Sequence, residues 1–176
     1  EAVRGVSFAL GRERLGIVGE SGSGKSQTGR AILGLTAPEG MVTAKRLEFR
    51  GQDLLRCTPS QRREMRGGRI AMVLQDPKFS LNPVMTIGDQ IVETLRAHTK
   101  ITPQAARAKA LAALEAVQID QPERMVKLYP HEVSGGMGQR AMIAMMLIAD
   151  PELLIADEPT SALDATVQLH VLPILD

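Results

Sequence analysis

Apolar and polar positions along this chain change period several times. Val3, Val6, Phe8 and Leu10 alternate loosely with their neighbours and predict a strand across Glu1–Leu10. Gly11-Arg12-Glu13 reads as a turn, and Leu15-Gly16-Ile17-Val18 as a short buried strand. Gln27 to Leu35 continues as a helix until Pro38-Glu39-Gly40 breaks the chain. Ala44 to Arg50, with Leu47 and Phe49, reads as another strand, closed by Gly51-Gln52-Asp53. Pro59 to Arg66 predicts a short polar helix ended by Gly67-Gly68. Ile70-Ala71-Met72-Val73-Leu74 is a near-continuous apolar run, as expected of a strand covered on both faces, and Gln75-Asp76-Pro77 stops it.

The pattern then turns helical. From Thr86 to about Ala116 apolar residues recur at helical spacing: Ile87, Ile91, Leu95, then Ala108, Leu111, Leu114 and on to Val117. Thr86 and Thr102 are candidate N-caps, the second followed by Pro103 at the first helical position. Pro122 and Pro130 punctuate the block. A further helix is predicted from about Ser134 to Ile148, closed by Asp150-Pro151. Leu153-Leu154-Ile155-Ala156 reads as a buried strand before Asp157-Glu158-Pro159, and Thr166 to Leu175 as a helix interrupted by Pro173. The order strand–loop–helix, strands, helical block, strand describes an α/β core with a helical insertion. Residues 1–76 and 140–176 are assigned to the core and 77–139 to the inserted part. In such sheets ligands lie beyond the carboxyl ends of the parallel strands, where Gly19, Gln75 and Asp157 each follow one.

Composition narrows this reading only a little. The chain has 176 residues, a formal net charge of +1 and 2% aromatic residues. Near-neutrality gives no sign of a polyanion partner beyond a nucleotide. The scarcity of aromatics removes the stacking platforms used on single strands. The single Cys57 excludes an internal disulfide framework and a Cys-rich zinc site. The longest apolar run, Ala141 to Ala149, falls far short of the roughly 20 residues a membrane span needs. The chain begins without Met, inside a predicted strand, and is expected to be part of a longer protein.

The candidate chemistry begins at Gly19-Glu20-Ser21-Gly22-Ser23-Gly24-Lys25-Ser26, which fits G-x-x-x-x-G-K-[ST] at every fixed position, between a predicted strand and the helix beginning near Gln27. Glycines let successive N–H groups face one hollow, and the helix that follows aims its positive end there. Lys25 adds a mobile charge for the β- and γ-phosphates, and Ser26 offers a hydroxyl to Mg²⁺. A bare Gly/Ser turn before a helix would carry neither. Asp157 can hold the Mg²⁺ water shell opposite Ser26, and Glu158 can polarise an attacking water. Taken alone, the pair is simply an acidic turn. Gln75 can place its amide oxygen on metal or water, though a polar strand end is the plainer reading. Ser134-Gly135-Gly136-Met137 offers an N-cap and two glycines that let a phosphate approach a helix start; by itself it is a Gly-rich helix start.

Together these stretches resemble the nucleotide-binding domain of ABC transporters over nearly the whole chain. The Walker A loop would be Gly19 to Ser26 with Gln27, the Q-loop residue Gln75, and the signature Val133-Ser134-Gly135-Gly136-Met137-Gly138-Gln139. Leu153 to Asp157 would be the Walker B strand, Glu158 the catalytic glutamate, and Ser161-Ala162-Leu163-Asp164 the D-loop. The resemblance implies a P-loop NTPase core of RecA-like type: a mainly parallel sheet, a small antiparallel β part and an inserted helical subdomain. It implies ATP and Mg²⁺ as cofactors, the metal held through Ser26, Gln75 and Asp157. Gln75-Asp76-Pro77, Ser80 to Ile87, Tyr129-Pro130-His131-Glu132 and Ile155 to Asp164 look like the ATPase subunits of dipeptide and oligopeptide importers, a branch shared with nickel and glutathione importers.

By that resemblance two such subunits pair head to tail. Ser134, Gly135, Gly136 and Gln139 of one close over ATP held by the other, and closure drives transmembrane permease subunits served by a substrate-binding protein. The helical block would touch those subunits, with the Gln75–Met85 stretch at the joint. The place implied is peripheral, on the cytoplasmic face of the cell membrane, with no nucleic-acid partner. A soluble ABC-type ATPase acting on DNA or ribosomes is the alternative, but the compact block between Gln75 and Ser134 holds neither a long coiled coil nor zinc cysteines. A non-catalytic regulatory module is disfavoured by Lys25, Asp157 and Glu158. Gly138 stands where relatives carry a basic residue and Val133 where Leu is usual, so the signature helix is expected to be looser at its start. The family's adenine-stacking aromatic and switch histidine would lie outside this chain, and residues 1–176 alone are expected to bind Mg-ATP weakly and hydrolyse it negligibly. His170 is not assigned the switch role. His131 reads as a structural turn residue, His98 as a surface one, and the Met137, Met142, Met145 and Met146 group as helix packing.

Overall fold

The computed structural model describes residues 2–74 and 80–158. Contacts divide the chain into two compact units, Glu1–Arg63 and Glu64–Asp176. Gln75, the D-loop with Asp164, and the helix expected over Thr166–Leu175 lie outside the described residues.

In the first unit, α1 spans Lys25–Leu33 and ends at Gly34. The expected strand over Ala44–Arg50 is reduced to β1, Glu48–Phe49, which pairs antiparallel with β2, Gln52–Asp53. Arg50 and Gly51 form the two-residue connection with φ of 50° and 78°. Two positive φ values fit the right-handed twist of a tight hairpin, and glycine takes the second without strain. Helix α2, Pro59–Met65, opens with a reciprocal cap: Gln61 N donates to Thr58 Oγ1 at 3.3 Å, and Thr58 N donates to Gln61 Oε1 at 2.9 Å.

Two expected strands of this unit are not formed. Residues 2–10 and 15–18 make no strand, and Leu15, Ile17 and Val18 are exposed, Val18 at 96%. The physical reason is the lack of a neighbour: β1 and β2 pair only with each other, and no described strand runs beside residues 15–18. An apolar run states what can be buried; the ladder that would bury it must come from elsewhere in the sequence.

The second unit holds the core. Its parallel pair is β3, Ile70–Val73, and β4, Leu153–Ala156, in the register Ile70↔Leu153 to Val73↔Ala156. Every residue of β3 is buried, as its apolar run predicts. By contrast β4 is only half-covered, and Ala156 is exposed, which corrects the expectation of a buried strand. Three helices complete this core: α3, Ile87–His98, and α4, Pro103–Ala116, pack on each other and on α6, Gly135–Leu147, which packs on β3. A short α5, Pro122–Met125, and a 3-10 turn at Pro130–Glu132 lead into α6. Ile87, Ile91 and Leu95 place one face of α3 in the core; Ala106, Ala110 and Leu114 do the same for α4. The fourfold spacing keeps each set on one stripe. Ala141 to Met145 are buried without interruption, so α6 is enclosed on nearly all sides.

The helix starts follow the sequence. Asp89 N donates to Thr86 Oγ1 at 3.2 Å and Ala105 N to Thr102 Oγ1 at 3.3 Å, with Pro103 at the first position. Each cap satisfies an amide that the helix cannot pair internally. The side chain of Gln90 is buried, yet its amide is fully engaged: it accepts from Asn82 N at 2.8 Å and donates to the carbonyls of Asn82 and Met85, each at 3.0 Å.

Candidate functional site

The phosphate-loop stretch folds as a tight arch running into α1. Ser23 N donates to Glu20 O at 3.2 Å, and Gly22 and Gly24 take φ of 80° and 95°. A Cβ at Gly24 would stand 2.6 Å from Ala2 O and 2.8 Å from Val3 Cγ2, so both the conformation and the close backbone approach require glycine. The Lys25 ammonium curls back over the arch, donating to Gly19 O at 2.8 Å and Glu20 O at 3.0 Å. Thr28 secures the other side: its N–H and its hydroxyl both donate to Gly24 O, at 2.9 and 3.0 Å. Thr28 was not among the sequence candidates; a hydroxyl one turn into the helix, four residues after the last loop glycine, is the signal that points to it. The arch thus leads directly into the N-terminus of α1, the end of a helix at which anions are held.

In the second unit, the carboxyl ends of β3 and β4 lie side by side. Asp157 N donates to Val73 O at 2.9 Å, extending the parallel ladder one residue beyond Ala156. The sheet therefore fixes the backbone of Asp157 beside Leu74, the residue before Gln75. Asp157 is half-buried and Glu158 exposed. Glu158 sits at φ 47°, in the left-handed region where a side chain crowds its own backbone.

Ser134 and Gly135 are exposed at the start of α6. Ser134 Oγ accepts from Met137 N at 3.3 Å, and Ser134 O from Gly138 N at 2.9 Å. The helix is thus regular through Gly138, and the looser start expected from that glycine is not seen. Nothing stands within 4 Å of a Cβ placed on Gly135, so the space on that side of its backbone is open. Gln139 differs from these neighbours: its side chain is fully buried, so it supports the helix from inside the unit rather than facing outward. Upstream, Tyr129 N donates to Glu132 Oε2 at 2.8 Å and the Tyr129 and His131 rings stack at 5.7 Å. These contacts give His131 the structural part expected of it and hold the chain that enters Ser134.

A Cβ at Gly138 would meet only Val133 Cγ2 at 3.8 Å and Leu81 Cδ1 at 4.0 Å, ordinary contact distances. Gly138→Ala is therefore expected to stabilise the whole protein by about 1 kcal/mol, through helix propensity alone. Urea denaturation measures it; a lowered midpoint would mean that the site needs the bare backbone.

The ABC transporter family matches residues 3–161. The chain is 49% identical over 174 residues to the dipeptide transport ATP-binding protein DppD of Bacillus subtilis (strain 168), covering 98% of this chain and 52% of that relative. It is 49% identical over 177 residues to the oligopeptide transport ATP-binding protein OppD of the same organism, covering 99% and 49% respectively. DppD of Escherichia coli (strain K12) is 47% identical over 175 residues, covering 99% of this chain and 54% of that one. The chain thus spans about half the length of the curated relatives it matches. Among solved structures, the ATP-binding cassette MJ0796, as a dimer in a post-hydrolysis state bound to ADP and Pi, superposes with a TM-score of 0.77 at 27% identity, over 89% of this chain and 65% of that one.

Proposed function

We propose that this chain, which belongs to the ABC transporter family, is the ATP-binding and ATP-hydrolysing part of a bacterial peptide importer. The observation that carries the proposal is near-complete coverage of this chain, at 49% identity, by proteins named for dipeptide and oligopeptide transport. Within that reading Gly19 to Gln27 hold the phosphates, and Lys25 carries the charge nearest them. Glu158 accepts a proton from the attacking water, and Gln75 orients that water. Ser134, Gly135 and Gly136 present the α6 start to a nucleotide held by a second ABC ATPase subunit, and Asp164 lies at the seam. Residues 77–139 form the subdomain that meets the permease subunits at the membrane's cytoplasmic face.

Ser26, Gln75 and Asp157 would hold Mg²⁺. The donor set fits this ion: hydroxyl, amide and carboxylate oxygens are hard ligands, and Mg²⁺ is ordinarily held by one or two carboxylates plus phosphates and water. Bound there, the ion would neutralise charge on the phosphates. No helix among the described residues is long and apolar enough to cross a membrane.

The test is reconstitution of the whole protein with its permease subunits and binding protein in vesicles. ATP-dependent accumulation of a dipeptide is expected, with little accumulation of the free amino acids. Turnover stimulated by nucleic acid, without association with a permease, would instead assign the protein to the soluble ABC-type ATPases.

A further inference from the structure

We infer that Arg140 is a positioning residue: by tying α6 to the end of α4 it sets where Ser134, Gly135 and Gly136 stand; this rests on the reading above, in which they meet a nucleotide held by a second subunit. The helix start itself has little to hold it. Ser134 and Gly135 are exposed, and burial within α6 begins only at Gly138 and Gln139. One residue further on, Arg140 Nη1 donates to Gln118 O. That carbonyl is a fixed point. Past the last turn of α4, Gln118 N donates to Glu115 O at 2.8 Å and Ile119 N to Leu114 O at 3.0 Å. These are the paired bonds of a Schellman close, with Gln118 in the left-handed position at φ 58°. Val117 and Ile119, on either side, are 1% and 4% exposed. The Gln118 carbonyl takes no part in this closure and is left for Arg140.

Charge and packing both give this bond weight. The carbonyl end of a helix carries partial negative charge, which a nearby cation offsets. No basic residue stands in the last turn of α4, so Arg140 supplies from α6 the cation that α4 lacks. A hydrogen bond from a charged donor is also stronger than a neutral one. Apolar packing sets the register of the two helices less firmly. They part around a hollow of about 290 Å³, lined by Ala112, Ala113, Ala116 and Ala144 together with larger residues. A methyl group makes few contacts that resist sliding. Nor does Arg140 merely fill space. Its Nε is buried with no hydrogen-bond partner among the described residues, a cost that an apolar side chain of similar length would not carry. A residue that breaks a local rule in this way is expected where a functional site needs it.

The experiment uses the whole protein carrying Glu158→Gln, which is expected to hold Mg-ATP as a dimer, with Arg140→Met added. Light scattering across protein concentrations gives the dissociation constant of the ATP-bound dimer. A fluorescent ATP analogue with Mg²⁺ gives the nucleotide affinity of dilute, undimerised protein. The dimer is expected to weaken about tenfold, which corresponds to about 1.4 kcal/mol. Nucleotide affinity is expected to stay within about twofold, because the phosphate loop is the protein's own and the α6 start serves the other subunit. The melting temperature should hardly move, since the bond lost at Nη1 is offset by the buried Nε removed. Arg140→Lys keeps a charged donor and is expected to restore most of the dimer affinity. Wild-type dimerisation in Arg140→Met would overturn the inference. So would a loss that comes with a lowered melting temperature and is not recovered by Arg140→Lys, which would make Arg140 a structural residue only. Should the Glu158→Gln protein itself bind Mg-ATP yet form no dimer, the two-subunit reading falls and takes this inference with it.

Discussion

Lys25→Ala in the whole protein is expected to weaken Mg-ATP binding by about 10- to 150-fold, because a hydrogen bond to a charged group is worth about 1.5–3 kcal/mol and each 1.4 kcal/mol is tenfold. The geometry says why the loss is specific. The ammonium is held over the arch by Gly19 O and Glu20 O at 2.8 and 3.0 Å, so its position is set by the loop itself. Those two bonds are exposed to water, and removing them should shift the stability of the nucleotide-free protein by no more than about 0.5 kcal/mol. Binding and folding therefore separate. Calorimetric titration with Mg-ATP reads the first and urea denaturation the second. Lys25→Arg is expected to fail nearly as badly, since a planar fork does not replace a compact ammonium between two carbonyls. Retention of affinity within about threefold in Lys25→Ala would remove this loop from the nucleotide site.

Different parts of this architecture were legible to different degrees, for physical reasons. Capping is a local event, so Thr86, Thr102 and Ser134 could be read as helix starts from the residues that follow them, and each accepts the expected amide. The fully covered strand β3 was legible because its apolar run is uninterrupted. By contrast, Leu15–Val18 has the same local character and is exposed; burial depends on a neighbouring strand, and that is not local. The hairpin partner β2 was missed because Gln52–Asp53 is only two residues long and its Arg-Gly connection lacks the usual Asn-Gly or Asp-Gly signal. Gln90 was missed as well, although a glutamine among Ile87, Ile91 and Leu95 on one stripe of α3 was a visible anomaly. A polar side chain on a buried stripe must find partners, and these lay in the turn just before the helix. At the candidate site, the motifs single out the residues proposed to carry chemistry. They did not announce the φ of 47° at Glu158, because glutamate has no preference for that conformation.

That backbone conformation sharpens the second large prediction. Glu158→Gln in the whole protein is expected to keep Mg-ATP affinity, to cut turnover by about 10²–10⁴-fold as the loss of a general base requires, and to accumulate an ATP-bound dimer visible by light scattering. Gln has nearly the shape of Glu, so the left-handed position makes the same demand on both, and folding stability should not change. Glu158→Gly provides the contrasting arm. An L-residue pays roughly 1–2 kcal/mol to occupy the left-handed region, and glycine largely escapes this. Glu158→Gly should therefore match Glu158→Gln in lost turnover while exceeding it in melting temperature. The two variants together divide the residue's carboxylate from its backbone. If both turn over at the wild-type rate, Glu158 is not the base. If both are inactive but Glu158→Gly is no more stable, the left-handed conformation at Glu158 carries no strain.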